Sequence, residues 1–420
     1  MTGGSMCSAV WLVHRGRKHC LVGAVLWLTL CSHAQQTPSA APSKPLAGTV
    51  PMFLEDNRVF VELTFRRSDG TPRKARAWVD TGGGWFAITE PLAKELGVTR
   101  TGDDIKVEDG RATPITHPDV RLGELPLDLS TANVYEVLGV TQIDPGINAE
   151  AFLPARVLMH YNAIFDYPER LFTLAQPGAL KPRGERIGMA VHSETGFPRV
   201  EISLNGERYG FLVDTGAAYT MISRELLEKL ATAHADWPRL TGAVAEANMI
   251  GNEMDIDALL LRIPRINLGP LTIENVGAVS RRVGIFETSM SRMMTASIVG
   301  ALAGNILKTM RVEIDYPDNA IYVQPNGQPA NDLDCVGLIL SVGNDGKYRV
   351  TGIARKDSRP VLDGVQPGDE LVGVDGLSAT GATLDAVNRS LHGRPGDKKK
   401  LRLLRKGKQI ELEVAVQRLL

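Results

Sequence analysis

The stretch "FLVDTGAAYTMIS" (residues 211–223) is the most informative part of this chain, because an apolar strand runs directly into Asp-Thr-Gly. A carboxylate at the end of such a strand is costly to bury unless its charge is compensated. The chain repeats the arrangement in "AWVDTGGGWFAIT" (77–89), so that Asp80 and Asp214 lie 134 residues apart. An aspartate placed twice at an unfavourable position indicates a role other than packing.

An internal repeat surrounds the two triplets. An alternating strand precedes each one, "NRVFVELTF" and "FPRVEISLN", and a helix-like stretch follows, "EPLAKELGV" and "SRELLEKLA". Further along, "VRLGELPLDLSTANV" matches "INLGPLTIENV", and "AIFDYPERLFTL" matches "VEIDYPDNAIYV". Because the order is the same in both copies, the sequence predicts two duplicated, mostly β lobes at residues 51–178 and 179–327.

The two aspartates have a chemical use if the lobes face each other. Carboxyl groups about 3 Å apart cannot both ionise, so one of them keeps a proton. The ionised member can take a proton from water, while the protonated member donates to a carbonyl oxygen. We therefore predict Asp80 and Asp214 as catalytic residues of a reaction that needs no metal and no cofactor.

The neighbours of each aspartate suit this chemistry. Gly82 and Gly216 have no side chains, so their backbone N–H groups can approach a carboxylate closely. Thr81 and Thr215 carry hydroxyls that can form hydrogen bonds across the lobe interface and hold the loops rigid. These four residues are predicted to support the aspartate pair.

"VDTGGG" and "VDTGAA" resemble the active-site triplets of aspartic peptidases, and the second is most similar to the retroviral-type branch. The segment "IVGALAGNILKTMRVEIDYPDNAIYV" (298–323) is similar to the closing segment of that branch, in which Gly304 would pack beneath the active-site loop. The resemblance implies a bilobal acid-protease fold of two retropepsin-like β lobes in one chain. It also implies a polypeptide substrate.

The first lobe departs from this pattern before "FDY". Gly146 is present, but Asn148 or Ala149 is expected at the close-packing position that Gly304 takes in the second lobe. Two segments, 106–115 and 246–254, are candidates for a hairpin that closes over a substrate. A plain surface hairpin is an equally open interpretation of each.

Residues 333–420 follow a different plan, with "VGLILS", "DGKYRVTGIA", "QPGDELVGVDG" and a final hairpin that turns at Gly407. This region resembles a bacterial PDZ domain, in which a Gly-Leu loop precedes a peptide groove. The resemblance implies that a peptide tail binds as an added strand at this loop. The loop residues would be Val336, Gly337, Leu338 and Ile339. The alternative is a packing module that has lost its ligand.

The N-terminus has the pattern of a signal peptide. A basic segment precedes the apolar run "CLVGAVLWLTLC" and then small residues, which predicts cleavage after residue 34. Residues 35–50 are rich in Pro, Ala and Ser and are predicted to form a disordered linker. The protein is therefore expected to be exported, either periplasmic or secreted. The alternative is a lipoprotein anchored to a membrane at Cys31.

Composition argues against several other classes of function. The net charge of −1 gives no indication of nucleic-acid binding, and the eight histidines show no metal-ligand spacing. No Gly-x-Ser-x-Gly elbow of a serine hydrolase and no phosphate-binding glycine loop occurs.

Together these patterns predict an exported aspartic endopeptidase whose PDZ-like domain recruits peptide tails or gates the cleft. Two alternatives remain open. One is a non-catalytic bilobal protein that binds extended peptides, and the other is an enzyme that works only after dimerisation.

Overall fold

The computed structural model describes residues 45–107, 110–248 and 256–420. The predicted signal peptide (1–34) and the first ten residues of the predicted linker lie outside this part of the chain. The described residues form mostly β-strands, which confirms the predicted fold class. None of the helices in these ranges has the length and apolar character needed to cross a membrane.

The N-terminal lobe consists of short strands with two short helices. Its strands are β1 (Ala47–Pro51), β2 (Phe53–Glu55), β3 (Arg58–Arg66), β4 (Pro72–Asp80), β5 (Phe86–Thr89), β6 (Ile105–Val107), β7 (Gly110–Pro114), β8 (Val120–Leu122), β9 (Leu125–Pro126), β10 (Val134–Val137), β11 (Ala151–Pro154), β12 (Asn162–Asp166) and β13 (Leu171–Ala175). Its helices are α1 (Glu90–Leu96) and α2 (Ala155–Leu158).

The long hairpin β3–β4 carries Asp80 at its end. It is antiparallel from the pair Val59–Val79 to the pair Arg66–Pro72. Strand β11 runs parallel to β4 and antiparallel to β5, and β10 runs parallel to β5. In β4 the alternate residues Ala75, Ala77 and Val79 are buried, and every residue of the neighbouring β5 is buried. The end of β4 is therefore held in a packed environment.

The second lobe uses the same kinds of element. Its strands are β14 (Glu185–Gly188), β15 (Ala190–Val191), β16 (Pro198–Leu204), β17 (Glu207–Val213), β18 (Thr220–Ser223), β19 (Arg239–Thr241), β20 (Leu259–Leu268), β21 (Leu271–Arg281), β22 (Gly300–Leu302), β23 (Met310–Asp315) and β24 (Ala320–Pro325). Its helices are α3 (Arg224–Ala233), α4 (Ser291–Met294) and α5 (Gly304–Leu307), with a 3-10 turn at Ala245–Ala247 and a π-helical turn at Ile285–Met290.

Strand pairing in the second lobe repeats that of the first. Strand β17 pairs antiparallel with β16 and parallel with β22, and β22 pairs antiparallel with β18, which pairs parallel with β21. In this arrangement β17 corresponds to β4, and Asp214 immediately follows β17. The repeat inferred from sequence is thus a repeat of strand topology as well.

The close-packing position in the first lobe was wrongly predicted. In the second lobe, the N–H of Gly304 donates to the carbonyl of Ala217 at 3.0 Å, and in the first the N–H of Ala155 donates to that of Gly83 at 3.0 Å. Ala155 is therefore the counterpart of Gly304, and neither Asn148 nor Ala149 occupies that position. The segment before β11 (138–150) is shorter than its counterpart before β22 (282–299), so equal spacing does not locate the equivalent residue.

One sheet joins the two lobes. Its strand order is β1-β13-β12-β23-β24-β14, and the central pair β12–β23 is antiparallel from Asn162–Asp315 to Asp166–Arg311. Strand β1 lies at its edge, where Ala47 pairs with Ala175. The linker predicted at 35–50 is therefore wrong for its last residues, because pairing with β13 outweighs the turn-forming composition of this segment.

The C-terminal module has a main sheet of its own, but its short strands β28 and β29 extend the sheet of the second lobe, where Arg355 pairs with Thr241. Its elements are β25 (Asp334–Cys335), β26 (Leu338–Val342), β27 (Tyr348–Ile353), β28 (Arg355–Lys356), β29 (Arg359–Pro360), β30 (Glu370–Val374), β31 (Leu377–Ser378), α6 (Leu384–Leu391), β32 (Lys398–Arg405), β33 (Lys408–Ala415) and β34 (Gln417–Arg418). The main sheet has the order β26-β27-β30-β32-β33, and the predicted final hairpin is present as β32–β33.

The module packs against the lobes through specific hydrogen bonds. The N–H at the start of α6, that of Leu384, donates to the carbonyl of Gly146 at 2.9 Å. Gly146 has φ +79°, and a Cβ there would lie 3.3 Å from the hydroxyl of Tyr348. Gly146 therefore contributes to docking of the C-terminal module, not to packing under the active-site loop.

The contact under Gly304 yields a stability prediction. A Cβ at this position would overlap the backbone carbonyl of Asn57, so Gly304→Ala should destabilise the protein by about 1–3 kcal/mol. Gly188→Ala is a matched control, because no atom lies within 4 Å of a Cβ there. The midpoints of thermal unfolding of the two variants measure the difference, and equal midpoints would contradict the assignment.

Candidate active site

The two Asp-Thr-Gly triplets form loops with the same hydrogen bond from the glycine N–H to the aspartate carboxyl. Asp80 is the last residue of β4, and Gly82 N donates to its Oδ1 at 2.6 Å. Asp214 follows β17, and its Oδ1 accepts hydrogen bonds from Gly216 N at 3.0 Å and from Ala217 N at 2.9 Å. Each carboxyl is thus oriented by the backbone of its own loop. Asp214 receives more such donors than Asp80.

The two threonines link the loops in a closed network of hydrogen bonds. Thr81 Oγ1 donates to the carbonyl of Val213 at 2.6 Å and accepts from Thr215 N at 3.0 Å. In return, Thr215 Oγ1 donates to the carbonyl of Val79 at 3.0 Å and accepts from Thr81 N at 3.2 Å. Both threonines are fully buried. Each hydroxyl therefore donates and accepts once, and the loops are held at a fixed separation.

Glycine is required where each loop passes the opposite carboxyl. A Cβ on Gly216 would lie 2.5 Å from both carboxyl oxygens of Asp80, and a Cβ on Gly82 would lie 2.8 Å from Oδ2 of Asp214. A larger residue at either position would push the carboxyls apart. The structure thus brings together all six residues that the sequence analysis selected around the pair.

Gly82, whose N–H donates to Asp80, also packs against the carboxyl of Asp214, so the two carboxyls lie beside each other. Burial, followed by the nearby charge of Asp214, raises the pKa of Asp80 well above its usual value. Burial also raises the pKa of Asp214, but the N–H donors of Ala217 and Gly216 and the neighbouring carboxyl of Asp80 act against this. The pKa of Asp80 is therefore raised further than that of Asp214.

Three further side chains act on the pair, and sequence reasoning missed all of them. The positive charge of Arg58 lowers the pKa of both aspartates. The pKa values of the buried Tyr167 and Tyr316 hydroxyls are raised mainly by burial. The charge of Asp214 adds to this at Tyr167, and the charge of Asp80 adds to it at Tyr316. The two tyrosines occupy equivalent positions in the "DY" repeats, which was a usable signal. Arg58 begins an ordinary alternating strand, and no local pattern distinguishes it.

An aromatic cluster lies beside the first loop. A Cβ on Gly83 would overlap the ring of Phe152 and lie 3.3 Å from Oδ2 of Asp80. Phe152 packs edge-on against Trp78 with ring centroids 5.3 Å apart. Phe152 remains partly exposed, so an apolar surface adjoins the carboxyl of Asp80.

The predicted peptide-binding loop of the C-terminal module is not open in this structure. Val336, Gly337, Leu338 and Ile339 are all buried. The N–H of Val336 donates to the carbonyl of Leu391 at 3.0 Å, and that of Leu338 donates to the carbonyl of Val336 at 2.8 Å. Capture of a terminal carboxylate requires free N–H groups, and these two are already engaged.

Segments of the second lobe cover this part of the module. Asn248 Nδ2 donates to the carbonyl of Leu340 in β26 at 2.6 Å. Glu246 Oε2 lies 3.0 Å from Nε2 of His392, the residue after α6. The groove between β26 and α6 is therefore filled by the chain itself. The sequence motif indicates a loop of this type, but it carries no information about what lies against it.

The two flap candidates differ in how much of them is described. Residues 106–115 include the antiparallel pair β6–β7, whose register joins Lys106 to Arg111, as a hairpin requires. The turn itself, residues 108–109, lies outside the described ranges. Most of 246–254 also lies outside them. Its described residues Glu246 and Asn248 contact His392 and Leu340 of the C-terminal module.

The ionisable side chains of the described ranges do not form a metal site. No group of three or more His, Cys, Asp or Glu residues in those ranges is arranged to hold a metal ion.

The threonine network yields a second prediction. Thr215→Val removes the hydroxyl and leaves the buried Thr81 N–H without its acceptor, which costs about 1–3 kcal/mol. Thr215→Ser keeps the hydroxyl and is the matched control. The free energy of unfolding in urea should fall for the valine variant and remain close to the original for the serine variant. Equal losses in both would contradict the network.

Comparison with known proteins agrees with the location of the second loop. The sequence profile described as Aspartyl protease matches residues 200–300, which include Asp214 and its loop. Among solved structures, the chain is similar to an aspartic proteinase from Irpex lacteus at 14% identity and a TM-score of 0.41, over 66% of this chain and 97% of that chain. No curated protein matches the chain. Over residues 200–300, this chain is therefore similar to the aspartyl protease family.

Proposed function

We propose that this protein is an aspartic endopeptidase in which Asp80 and Asp214 hydrolyse peptide bonds by general acid–base catalysis. The observation that carries the proposal is the pair of neighbouring carboxyls, one from each lobe, in which burial raises the pKa of both members. Burial of two neighbouring acids costs free energy, and acids with strongly shifted pKa values are concentrated at functional sites. The profile match around Asp214 supports the same reaction class.

The difference in loop donors supports a separate role for each aspartate. Asp214 is the base, because its loop N–H groups stabilise the ionised form. It takes a proton from a water molecule, whose oxygen attacks the carbonyl carbon of the substrate. Asp80 donates its proton to the carbonyl oxygen, which gives a neutral tetrahedral intermediate.

Collapse of this intermediate reverses the proton transfers. The proton on Asp214 passes to the amide nitrogen, the C–N bond breaks, and the amine leaves. A hydroxyl of the intermediate returns its proton to Asp80 as the carboxylic acid product forms. The pair thus ends the cycle in its starting state, and the reaction consumes one water molecule.

The proposed substrate is an extended polypeptide bound between the two lobes. The partly exposed ring of Phe152 near Asp80 supports binding of an apolar side chain next to the cleaved bond. Both aspartates belong to one chain and are already in contact, so the reaction requires no second subunit.

We extend the proposal to location and to the C-terminal module. The basic and apolar N-terminal pattern supports export to the periplasm or the exterior. The hydrogen bonds from the lobes to α6 and β26 support a packing or gating role for the PDZ-like module. Recruitment of a peptide tail at Val336–Ile339 would first require these lobe segments to move away.

Loss of the proposed base should abolish cleavage. Asp214→Asn cannot accept a proton from water, so hydrolysis of a denatured protein should fall by at least about 10²-fold. Circular dichroism and the unfolding midpoint serve as controls that the variant is folded. A folded variant with undiminished activity would contradict the mechanism.

The original chain tests the non-catalytic alternative. If it binds unfolded protein but does not cleave it at any pH between 3 and 8, a peptide-binding protein is favoured instead.

The raised pKa of Asp80 predicts the pH dependence of cleavage. Activity requires exactly one proton on the pair, so it should fall at low pH as Asp214 becomes protonated. It should fall again as the pH rises through the raised pKa of Asp80 and its proton is lost. The measurement is kcat/KM against pH, and a profile that stays flat through both limbs would contradict shared protonation.

The same pKa affects stability with a definite sign. A carboxyl whose folded-state pKa is raised stabilises the folded protein below its ordinary pKa of 3.8, and this contribution is lost as the pH rises through the raised value. Asp80→Asn should therefore weaken the decline of unfolding midpoint with rising pH. An unchanged dependence in this variant would contradict the assignment of the proton to Asp80.

A further inference from the structure

We propose that Arg58 is a positioning residue whose buried positive charge favours the ionised form of the aspartate pair. Helix α6 of the C-terminal module holds Arg58 in place through Asp56. The inference rests on the proposed function, because it concerns the working pH range of the same pair. It makes the C-terminal module a part of the catalytic unit.

Arg58 lies at the end of the strand adjacent to that of Asp80. Its neighbour Val59 pairs with Val79, which precedes Asp80 in β4. The Arg58 side chain is only 4% exposed, and its guanidinium lies 5.9 Å from the ring centre of Trp78. A full positive charge is thus enclosed with the pair in a region of low dielectric, where its effect is much larger than in water.

The charge of Arg58 acts in the opposite direction to burial. Burial is the largest influence on both aspartates and raises the pKa of each. The positive charge of Arg58 lowers the pKa of both. Without such a cation, both carboxyls would stay protonated up to a higher pH. Over that pH range, neither aspartate could accept a proton from water.

A buried arginine needs a partner, and Asp56 is that partner. Arg58 Nη1 lies 3.7 Å from Oδ2 of Asp56, whose side chain is 3% exposed. Burial of a charged pair is favourable only when further hydrogen bonds fix its geometry. Those further bonds to Asp56 come from the C-terminal module.

Helix α6 contacts Asp56 twice. Asn388 Nδ2 donates to Oδ1 of Asp56 at 3.0 Å, and Asp56 N donates to Oδ1 of Asp385 at 3.0 Å. All three residues are buried. One turn of α6 therefore fixes both the backbone and the side chain of Asp56, which lies 329 residues earlier in the sequence than Asp385.

The residue between Asp56 and Arg58 extends this contact to the second loop. Asn57 Nδ2 donates to the carbonyl of Ala218 at 3.1 Å, and Lys308 Nζ donates to Oδ1 of Asn57 at 2.8 Å. Ala218 belongs to the loop that begins at Asp214. The turn 56–58 thus touches α6 on one side and the active-site loop of the second lobe on the other.

The other ionisable groups around the pair do not supply this charge. Burial raises the pKa of Tyr167 and Tyr316 far enough that both stay neutral over the assay range. Their hydroxyls lie in the surroundings of Asp214 and Asp80. The positive charge that lowers the pKa of both aspartates is that of Arg58, whereas the ammonium of Lys308 is bound to Asn57.

The groups that face Asp56 are Arg58, Glu246 and Asp385, with Asn388 as a neutral donor. Burial is the largest cause that raises the pKa of Asp56 to about 7. Below that pH Asp56 is mostly neutral, so its charge does not cancel that of Arg58 where the pair is expected to work. Asp56, which its bonds to α6 keep in place, then contacts Arg58 as a neutral side chain, and the ion pair forms as the pH rises through about 7.

The test compares Arg58→Gln with Arg58→Lys in the full chain. The measurement is kcat/KM against pH for cleavage of a denatured protein. Loss of the positive charge should move both limbs of the profile to higher pH by about half a unit or more. The lysine variant keeps the charge and should keep the original profile. An active glutamine variant with the original profile, or a lysine variant shifted as far as the glutamine variant, would overturn the proposal.

A second pair of variants tests the role of α6. Asn388→Ala removes the hydrogen bond to Asp56 and should shift the profile in the same direction by a smaller amount. Ser390→Ala is the matched control, because the Ser390 hydroxyl bonds within the helix to the carbonyl of Val387. A shift with the first variant alone supports the coupling. An unshifted pH profile for Asn388→Ala overturns the proposed coupling between α6 and the aspartate pair. This test remains decisive even if Arg58→Gln does not fold.

The outcomes separate this inference from the proposed function. If the original chain shows no cleavage that depends on Asp214, the proposed function fails and this inference fails with it. If cleavage depends on Asp214 but none of the Arg58 and Asn388 variants shifts the pH profile, only this inference fails.

Discussion

Two buried carboxyl groups, one from each lobe, are the constraint on which the rest of this structure depends. Asp80 and Asp214 would be costly at the ends of apolar strands if both carried a charge. The sharing of one proton that we propose requires the two loops to stay close together. The reciprocal bonds of Thr81 and Thr215 meet that requirement, since each hydroxyl is satisfied only when both loops are in place.

The architecture of the lobes follows from this requirement. Each triplet ends a strand that is inserted among apolar neighbours, so its backbone cannot move independently of the lobe. The sheet shared by the lobes, through β12 and β23, then fixes one lobe against the other. The asymmetry between the aspartates is local, because the loop of Asp214 offers more N–H donors than the loop of Asp80.

The surroundings of the C-terminal module alter the interpretation of its peptide-binding groove. Its strands and its final hairpin match the sequence interpretation, yet the groove beside β26 contacts the lobes and not a free peptide. Asn248 and Glu246 occupy one end of that groove, and Asp56 lies against α6. The same hydrogen-bonding edge that would bind a ligand instead binds the rest of the chain. The alternative of a packing module accounts for these contacts better than recruitment does.

Local patterns in the chain were enough to predict the strands, the duplicated order of motifs and the six residues around the pair. These features are encoded by alternation of apolar residues and by two copies of one motif, both of which are readable without coordinates. Local patterns misplaced the counterpart of Gly304 and the end of the linker, and they gave no sign of Arg58. They also could not tell which aspartate has the more strongly raised pKa or that Val336–Ile339 is covered. Those properties arise from contacts between residues hundreds of positions apart, such as Asp56 and Asp385, because burial and charge depend on what packs around a group and not on its neighbours in sequence.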